Sequence, residues 1–274
     1  MIIADHYSLE QQQKLLGVLH GTVTLAMTFA PIIGSYISLY FHWQGNFILL
    51  LAIGLLSLVL SYFWIPVSKP DLTVRLSIKE YFPIFTSPIP FLYVSIISLL
   101  VAAYWIFIAI APILYMGSFQ VSLAHFGLYQ GSLALVFSLM SFSSGYWIRK
   151  FGQKACFNFG IKMLGLFCIA ALGVAILDIR DPKVITSVLL FSSVGALFPI
   201  NLLYPFMLES IPNAKGRISS VQVGGRLLIA ALCIQVVSYF YAGSFKPLGV
   251  MMVLLYLLAF FLGVKLFKRV KVFE

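Results

Sequence analysis

The chain has 274 residues, of which 61% are hydrophobic and 9% charged, and its net charge is +10. A soluble domain carries roughly 25% charged residues, so a water-borne globular fold is excluded and a polytopic, all-α membrane protein is indicated. The positive charge, which would point to nucleic acid in a soluble protein, is read here as loop orientation, with no nucleic-acid partner.

The N-terminal stretch "MIIADHYSLEQQQK" has no basic region ahead of an apolar run, and its acidic residues argue against a signal peptide. Eight apolar runs long enough to cross a bilayer follow, at about 15–41, 46–65, 90–115, 123–147, 156–177, 184–208, 218–242 and 247–267. The first contains "LAMTFAPIIGSYIS", in which Pro31 removes a backbone donor and kinks a helix. Ala26, Ala30 and Gly34 recur every four residues on one face, with Ser35 beside them, a smooth side against which another helix can pack closely. The joint "HWQGN" leads to the second run. The segment 66–89 is longer, mixed in charge and bounded by prolines, so it reads as a linker between two bundles. This divides the chain into 1–65, the linker 66–89 and a six-helix unit, 90–274.

Beyond the linker, the run 90–115 carries Tyr104, Trp105 and Pro112, whose aromatics either stack on a flat organic molecule or pack in the membrane. The run 184–208 has Asn201 between Pro199 and Pro205, followed by Tyr204. Each proline frees a carbonyl in the preceding turn, which in lipid must be satisfied by protein or water. That favours a helix facing a cavity, with Asn201 and Tyr204 as polar contacts. In the run 218–242, Arg226 lies about nine residues in, roughly 13 Å deep, with Gln222 one turn before it. Arg226 either faces a watered cavity and meets an anionic group, or is held by helix-end carbonyls. Lys162 sits close enough to a span end to snorkel to the surface.

No Asp or Glu falls within the eight runs. His20 and His125 can titrate, but each lies near the end of its run and reads as a packed or interfacial histidine. Cys156, Cys168 and Cys233 lack any ligand spacing, so no disulfide framework, metal or cofactor is indicated. An intramembrane enzyme is disfavoured, because there is no HExxH, no embedded aspartate pair, and no Ser or Cys spaced with a mid-membrane His.

The stretch "AMTFAPIIGS" (26–35) resembles the proline- and small-residue signature in the fifth helix of drug:proton antiporters of the major facilitator superfamily, with Ala26, Ala30 and Ser35 where glycines are usual. "GYWIRKFGQK" (145–154) is similar to that superfamily's inter-helix loop: Gly145, Lys150, Gly152 and Lys154 match, and Arg149 replaces the acid. "WQGNF" (43–47), "IAIAPILY" (108–115) and "ESIPNAKGRISSVQVGGRL" (209–227) resemble the bicyclomycin-resistance (Bcr/CflA) branch. The resemblance implies a major facilitator fold in which 15–41 is helix five, 66–89 joins the two halves, and the first four helices are missing. It implies multidrug efflux by proton antiport in a bacterial inner membrane, with a small organic substrate and protons as the coupling ion. It places the gate at Ala26, Ala30, Pro31, Gly34 and Ser35, packed against the last two runs. A chain so composed is expected to be an incomplete transporter, needing the missing helices in trans or a homo-oligomer. The alternative is a non-transporting membrane remnant or assembly partner.

If both termini are cytoplasmic, Lys14, Lys69, Arg75, Lys79, Arg149, Lys150, Lys154, Lys215, Arg217, Lys265, Lys268, Arg269 and Lys271 lie on the inner side, and only Arg180, Lys183 and Lys246 lie outside. Reporter fusions after Glu274 and within 66–89 should therefore both give cytoplasmic signals. A periplasmic signal from either overturns this topology.

Overall fold

The structure is a computed structural model that describes residues 7–64 and 78–270. The side chains of Pro31 and Ser35 lie outside the described residues, as do residues 65–77, which take in the first half of the expected linker. Every regular element among the described residues is helical.

Helix α1 spans Leu9–Trp64 and is two limbs joined at His42, whose φ of 56° and ψ of −172° break the helical path. Gln11 closes its first turn by accepting from the Ser8 backbone N–H at 3.1 Å, half of a capping box. At the break the chain doubles back: a Cβ on Gly34 would lie 3.5 Å from Asn46 Oδ1, although twelve residues of straight helix would separate the two by about 18 Å. The reversal depends on Gly45, where a Cβ would come within 2.6 Å of Phe41 Cβ and 2.8 Å of Ile37. The expected "HWQGN" joint is thus a sharp turn. The second limb is exposed along its length, with only Gly45 buried.

A 3-10 turn, Ile78–Tyr81, and the short helix α2, Phe82–Thr86, lead into α3, Pro88–Pro112. After Pro112 the chain passes into a wide turn, Ile113–Ser118, around the buried Tyr115. Then come α4 (Leu123–Phe151), α5 (Gln153–Ile176), α6 (Pro182–Glu209), α7 (Lys215–Tyr239) and α8 (Lys246–Phe267). Proline opens α3 and α6, where its missing N–H costs nothing, and Ser122 and Asp181 cap α4 and α6. His125 serves that cap, its Nδ1 lying 2.8 Å from Ser122 Oγ. Gly152, at φ 83°, makes the turn between α4 and α5.

Among the described residues seven segments are long and apolar enough to cross a membrane: Tyr40–Trp64, Pro88–Ser118, His125–Phe151, Gln153–Ile176, Pro182–Glu209, Lys215–Tyr239 and Lys246–Phe267. The first limb of α1, at 1.5 Å per residue, also exceeds a bilayer core of about 30 Å. Side-chain contacts sort the helix ends. The Arg217–Glu80 ion pair, the Lys14 side chain against Gly145 and the Phe157–Phe267 ring contact gather one end. Tyr115 with Thr186 and Ser118 with Tyr241, each at 2.8 Å, gather the other. Consecutive helices therefore run up and down.

α3 stands at the centre, packed on α6, α7 and α8, while α5 packs on α6 and α8. Membrane helices lack a hydrophobic force between them, so small residues that let backbones approach decide who packs with whom. At the α5–α6 crossing, a Cβ on Gly160 would come within 2.8 Å of Gly195 O. That carbonyl is the one Pro199 leaves without its helical donor. The first limb of α1 packs on α4 and α6. Its close approach is at Gly17 and Gly21: a Cβ on Gly17 would meet Ser144 Oγ at 2.3 Å and Ser141 O at 2.9 Å, and one on Gly21 would meet Ser138 O at 3.2 Å. Ala26 and Ala30, by contrast, are exposed, and Gly34 faces the second limb.

Replacing Gly17 with Leu should prise α1 from α4, at a cost of about 1–3 kcal/mol. Crosslinking between cysteines at 21 and 138, in a chain stripped of its own cysteines, should then fall sharply. The control is Gly165→Leu, whose surroundings hold nothing within 4 Å. Equal crosslinking in both variants would remove the glycine seam.

Candidate functional site: a polar cavity beside Arg226

The first limb of α1 carries Gln13, Gly17, His20 and Thr24 at helical spacing, a polar and small stripe along one face. This stripe turns toward α4 and α6. Ser141 Oγ donates to Gly17 O at 2.7 Å, and Asn201 Oδ1 lies 2.7 Å from His20 Nδ1. With the Asn oxygen so oriented, the Nδ1–H donates and Nε2 is left as an acceptor. Asn201 is fully buried on α6, one turn before Pro205, which takes the helical donor from its carbonyl. The Tyr204 ring meets His20 edge-on at 6.0 Å between centroids, and its hydroxyl lies 3.2 Å from Ser219 Oγ on α7.

α7 brings the charge. Gln222 is buried, and its carbonyl accepts from Ser98 Oγ of α3 at 3.2 Å. Gly225 lets the two helices approach, since its Cβ would lie 3.4 Å from Ser98 Oγ. One turn beyond Gln222, Arg226 is partly buried and its Nε has no hydrogen-bond partner. No carboxylate pairs with it among the described residues. Placing an arginine at the centre of a spanning helix costs roughly 2.5–3.5 kcal/mol on insertion scales, and such residues face cavities.

The cavity it faces has a volume of about 160 Å³. His20 and Thr24 of α1, Tyr104 and Trp105 of α3, Ser192 and Ser193 of α6, and Arg226 bring the polar groups. Val23, Met27, Leu100, Phe137, Ile200 and Tyr256 contribute to its apolar wall. Of the hydroxyls, Thr24 is bonded to His20 O and Ser192 to Leu189 O, each at 2.8 Å. Among the described residues the arginine is therefore the one charged group in a mostly apolar chamber.

Of the residues singled out by sequence, Arg226, Tyr104 and Trp105 line this cavity. Asn201 and Tyr204 stand behind it, touching its wall through His20, and Gln222 lies one turn from Arg226. His20 is the addition. The expected first run begins at 15, which leaves His20 near its end, but α1 begins at Leu9 and carries it about three turns in. The polar stripe through Gly17, His20 and Thr24 is the signal that marks it. In the loop segment, Arg149, Lys150 and Lys154 are exposed, and Lys150 Nζ lies 5.7 Å and 5.4 Å from the Tyr146 and Phe151 rings. Gly145 is pressed by Lys14, whose Cγ would lie 2.9 Å from a Cβ there. Among the described residues no group of His, Cys, Asp and Glu could hold a metal ion.

Three comparisons bear on what kind of protein holds this cavity. The profile of the Major Facilitator Superfamily matches residues 1–233. A bicyclomycin resistance protein homolog of Haemophilus influenzae is 23% identical over 236 residues, which cover 84% of this chain and 59% of that protein. The crystal structure of a bacterial homologue of the iron transporter ferroportin, in an outward-facing state, superposes with a TM-score of 0.64 and 18% identity. It matches 97% of this chain and 66% of that one, and it shows the shared fold. The chain thus spans less than two thirds of the length of each. With its up-and-down spanning helices and a profile match over most of its length, this multi-pass membrane protein belongs to the Major Facilitator Superfamily of transporters.

Proposed function

We propose that the chain acts in secondary active efflux of small organic molecules across a bacterial inner membrane, by exchange for protons. The observation that carries this reading is the cavity itself, an apolar chamber with one unpaired cation where α1, α3, α6 and α7 meet. The likeness to a bicyclomycin resistance protein homolog supports a drug-like substrate. On the proposed register, α1 is helices five and six of a twelve-helix transporter, and α3–α8 are its second half. Alternating access then works by rocking one half against the other around a site at their interface. The basic ends gathered by the Arg217–Glu80 and Lys14–Gly145 contacts support a cytoplasmic face there.

Two bundles are needed for that motion, and the exposed second limb of α1 offers the surface on which further helices would complete the first. For the test these helices are supplied as a separate partner polypeptide. The test is reconstitution of the purified chain in proteoliposomes with an imposed pH gradient, alone and together with the first four helices of the bicyclomycin-resistance relative. Gradient-driven movement of bicyclomycin is expected in the second preparation and not the first, and Arg226→Ala should abolish it. Movement with the chain alone would remove the partner from the reading. No movement in either preparation would overturn the transport reading and leave a non-transporting assembly role.

A further inference from the structure

The cavity beside Arg226 is chemically one-sided. Its only charge among the described residues is a guanidinium, whose Nε is buried and unpaired. Among the described residues the spanning helices bring no carboxylate to their middle turns, the acidic groups Glu10, Glu80, Asp178, Asp181 and Glu209 all standing at helix ends or in loops. A site whose fixed cation has no counter-charge lacks an acceptor-rich, negatively charged group. A cationic ligand would meet repulsion there, in surroundings that screen charge poorly.

The walls say what else the ligand carries. Trp105 and Tyr104 come from α3, Phe137 from α4, and aliphatic side chains cover much of the rest. The volume of about 160 Å³ matches a single aromatic ring, since an apolar cavity of about 150 Å³ in another protein takes up benzene. The larger chamber between α3, α5, α6 and α8, about 460 Å³, is lined mainly by apolar side chains and offers a neutral ring an alternative. Charge is what separates the two.

We propose that the Arg226 cavity is a subsite for an organic anion, a carboxylate or sulfonate borne on one aromatic ring, with Arg226 as the group that binds the anion and Trp105 and Tyr104 beside the ring. The proposal gives the transport reading its substrate class, and rests on that reading only in placing the cavity on the substrate's route.

The test is equilibrium binding of radiolabelled benzoate to the purified full chain in nanodiscs, with empty nanodiscs subtracted. Saturable binding is expected, displaced by unlabelled benzoate and benzenesulfonate but not by benzamide or benzylammonium, which have similar rings without the negative charge. Arg226→Gln should weaken benzoate binding tenfold or more, and Arg226→Lys, which keeps the charge but loses the planar fork, should lose less. Absence of saturable binding, equal displacement by benzamide or benzylammonium, or unchanged affinity in Arg226→Gln would each overturn the proposal. Should Arg226→Gln aggregate, the ligand series on the unaltered chain and the Lys variant still decide. No gradient is applied, so failure here is distinct from failure of transport: benzoate binding without efflux, or bicyclomycin efflux without benzoate binding, separates the two readings.

Discussion

In the core of a bilayer no water is at hand, so a polar group there must be satisfied by the protein or cost several kcal/mol. That constraint decides where α1 lies. Its first limb could present His20 to lipid only at that cost; it presents the ring to Asn201, and its Gly17 carbonyl takes a further bond from the Ser141 hydroxyl, at 2.7 Å each. Those two contacts fix the rotation of α1 about its own axis. The glycines then fix its distance, because any side chain at 17 would collide with Ser144. The same pairing holds the rest together: Ser98 with the Gln222 carbonyl joins α3 to α7, and Tyr115 with Thr186 joins the end of α3 to α6. Apolar packing fills the space between helices, but a lipid tail satisfies an apolar face as well as another helix does. The polar and small residues select the neighbours.

The prolines of α6 belong to the same economy of backbone bonds. Pro199 and Pro205 free the carbonyls of Gly195 and Asn201. One freed carbonyl lies at the bare α5 crossing made by Gly160 and the other on the residue that holds His20. A helix with two interior prolines would be poor in water. Among close-packed neighbours it is tolerated, and its irregular stretch lies beside the cavity.

Much of this was legible in the sequence, and the parts that were not share one cause. Span lengths follow from bilayer thickness, so α3 to α8 begin and end within a few residues of the apolar runs, and the turn at His42 and Gly45 follows from local chemistry. The depth of Arg226 follows from counting. Which face of a helix meets which neighbour does not follow from a small-residue pattern alone. Ala26, Ala30 and Gly34 share a face as smooth as that of Gly17 and Gly21, yet the alanines are exposed while the two glycines are buried against α4. The discriminating feature is the partner helix: Ser138, Ser141 and Ser144 recur at three-residue spacing on α4 and meet only one of the two faces. His20 escaped for a related reason, because the start of α1 lies in polar sequence, where Gln11 accepts from the Ser8 N–H and hydropathy does not reach.

The polar atoms left over after this pairing are not scattered. Gln13 and Ser138 lie on the helices of the α1–α4 seam, Asn201 where α6 meets α1, and Gln222 and Arg226 on α7 beside the cavity; each has a buried side-chain atom with no hydrogen bond. An unmet buried group costs about 1–3 kcal/mol, more when charged, so a chain shaped only for stability would carry apolar residues at these positions. On the proposed register this seam is where the two halves of a major facilitator face each other, and such halves must part and rejoin in each cycle. An interface sealed by complete pairing would resist that parting, whereas groups left unmet in one state can be satisfied by water or substrate in another. The cavity at Arg226 is then the end of the seam where a ligand supplies what the protein withholds, and its binding energy goes to the state that encloses it.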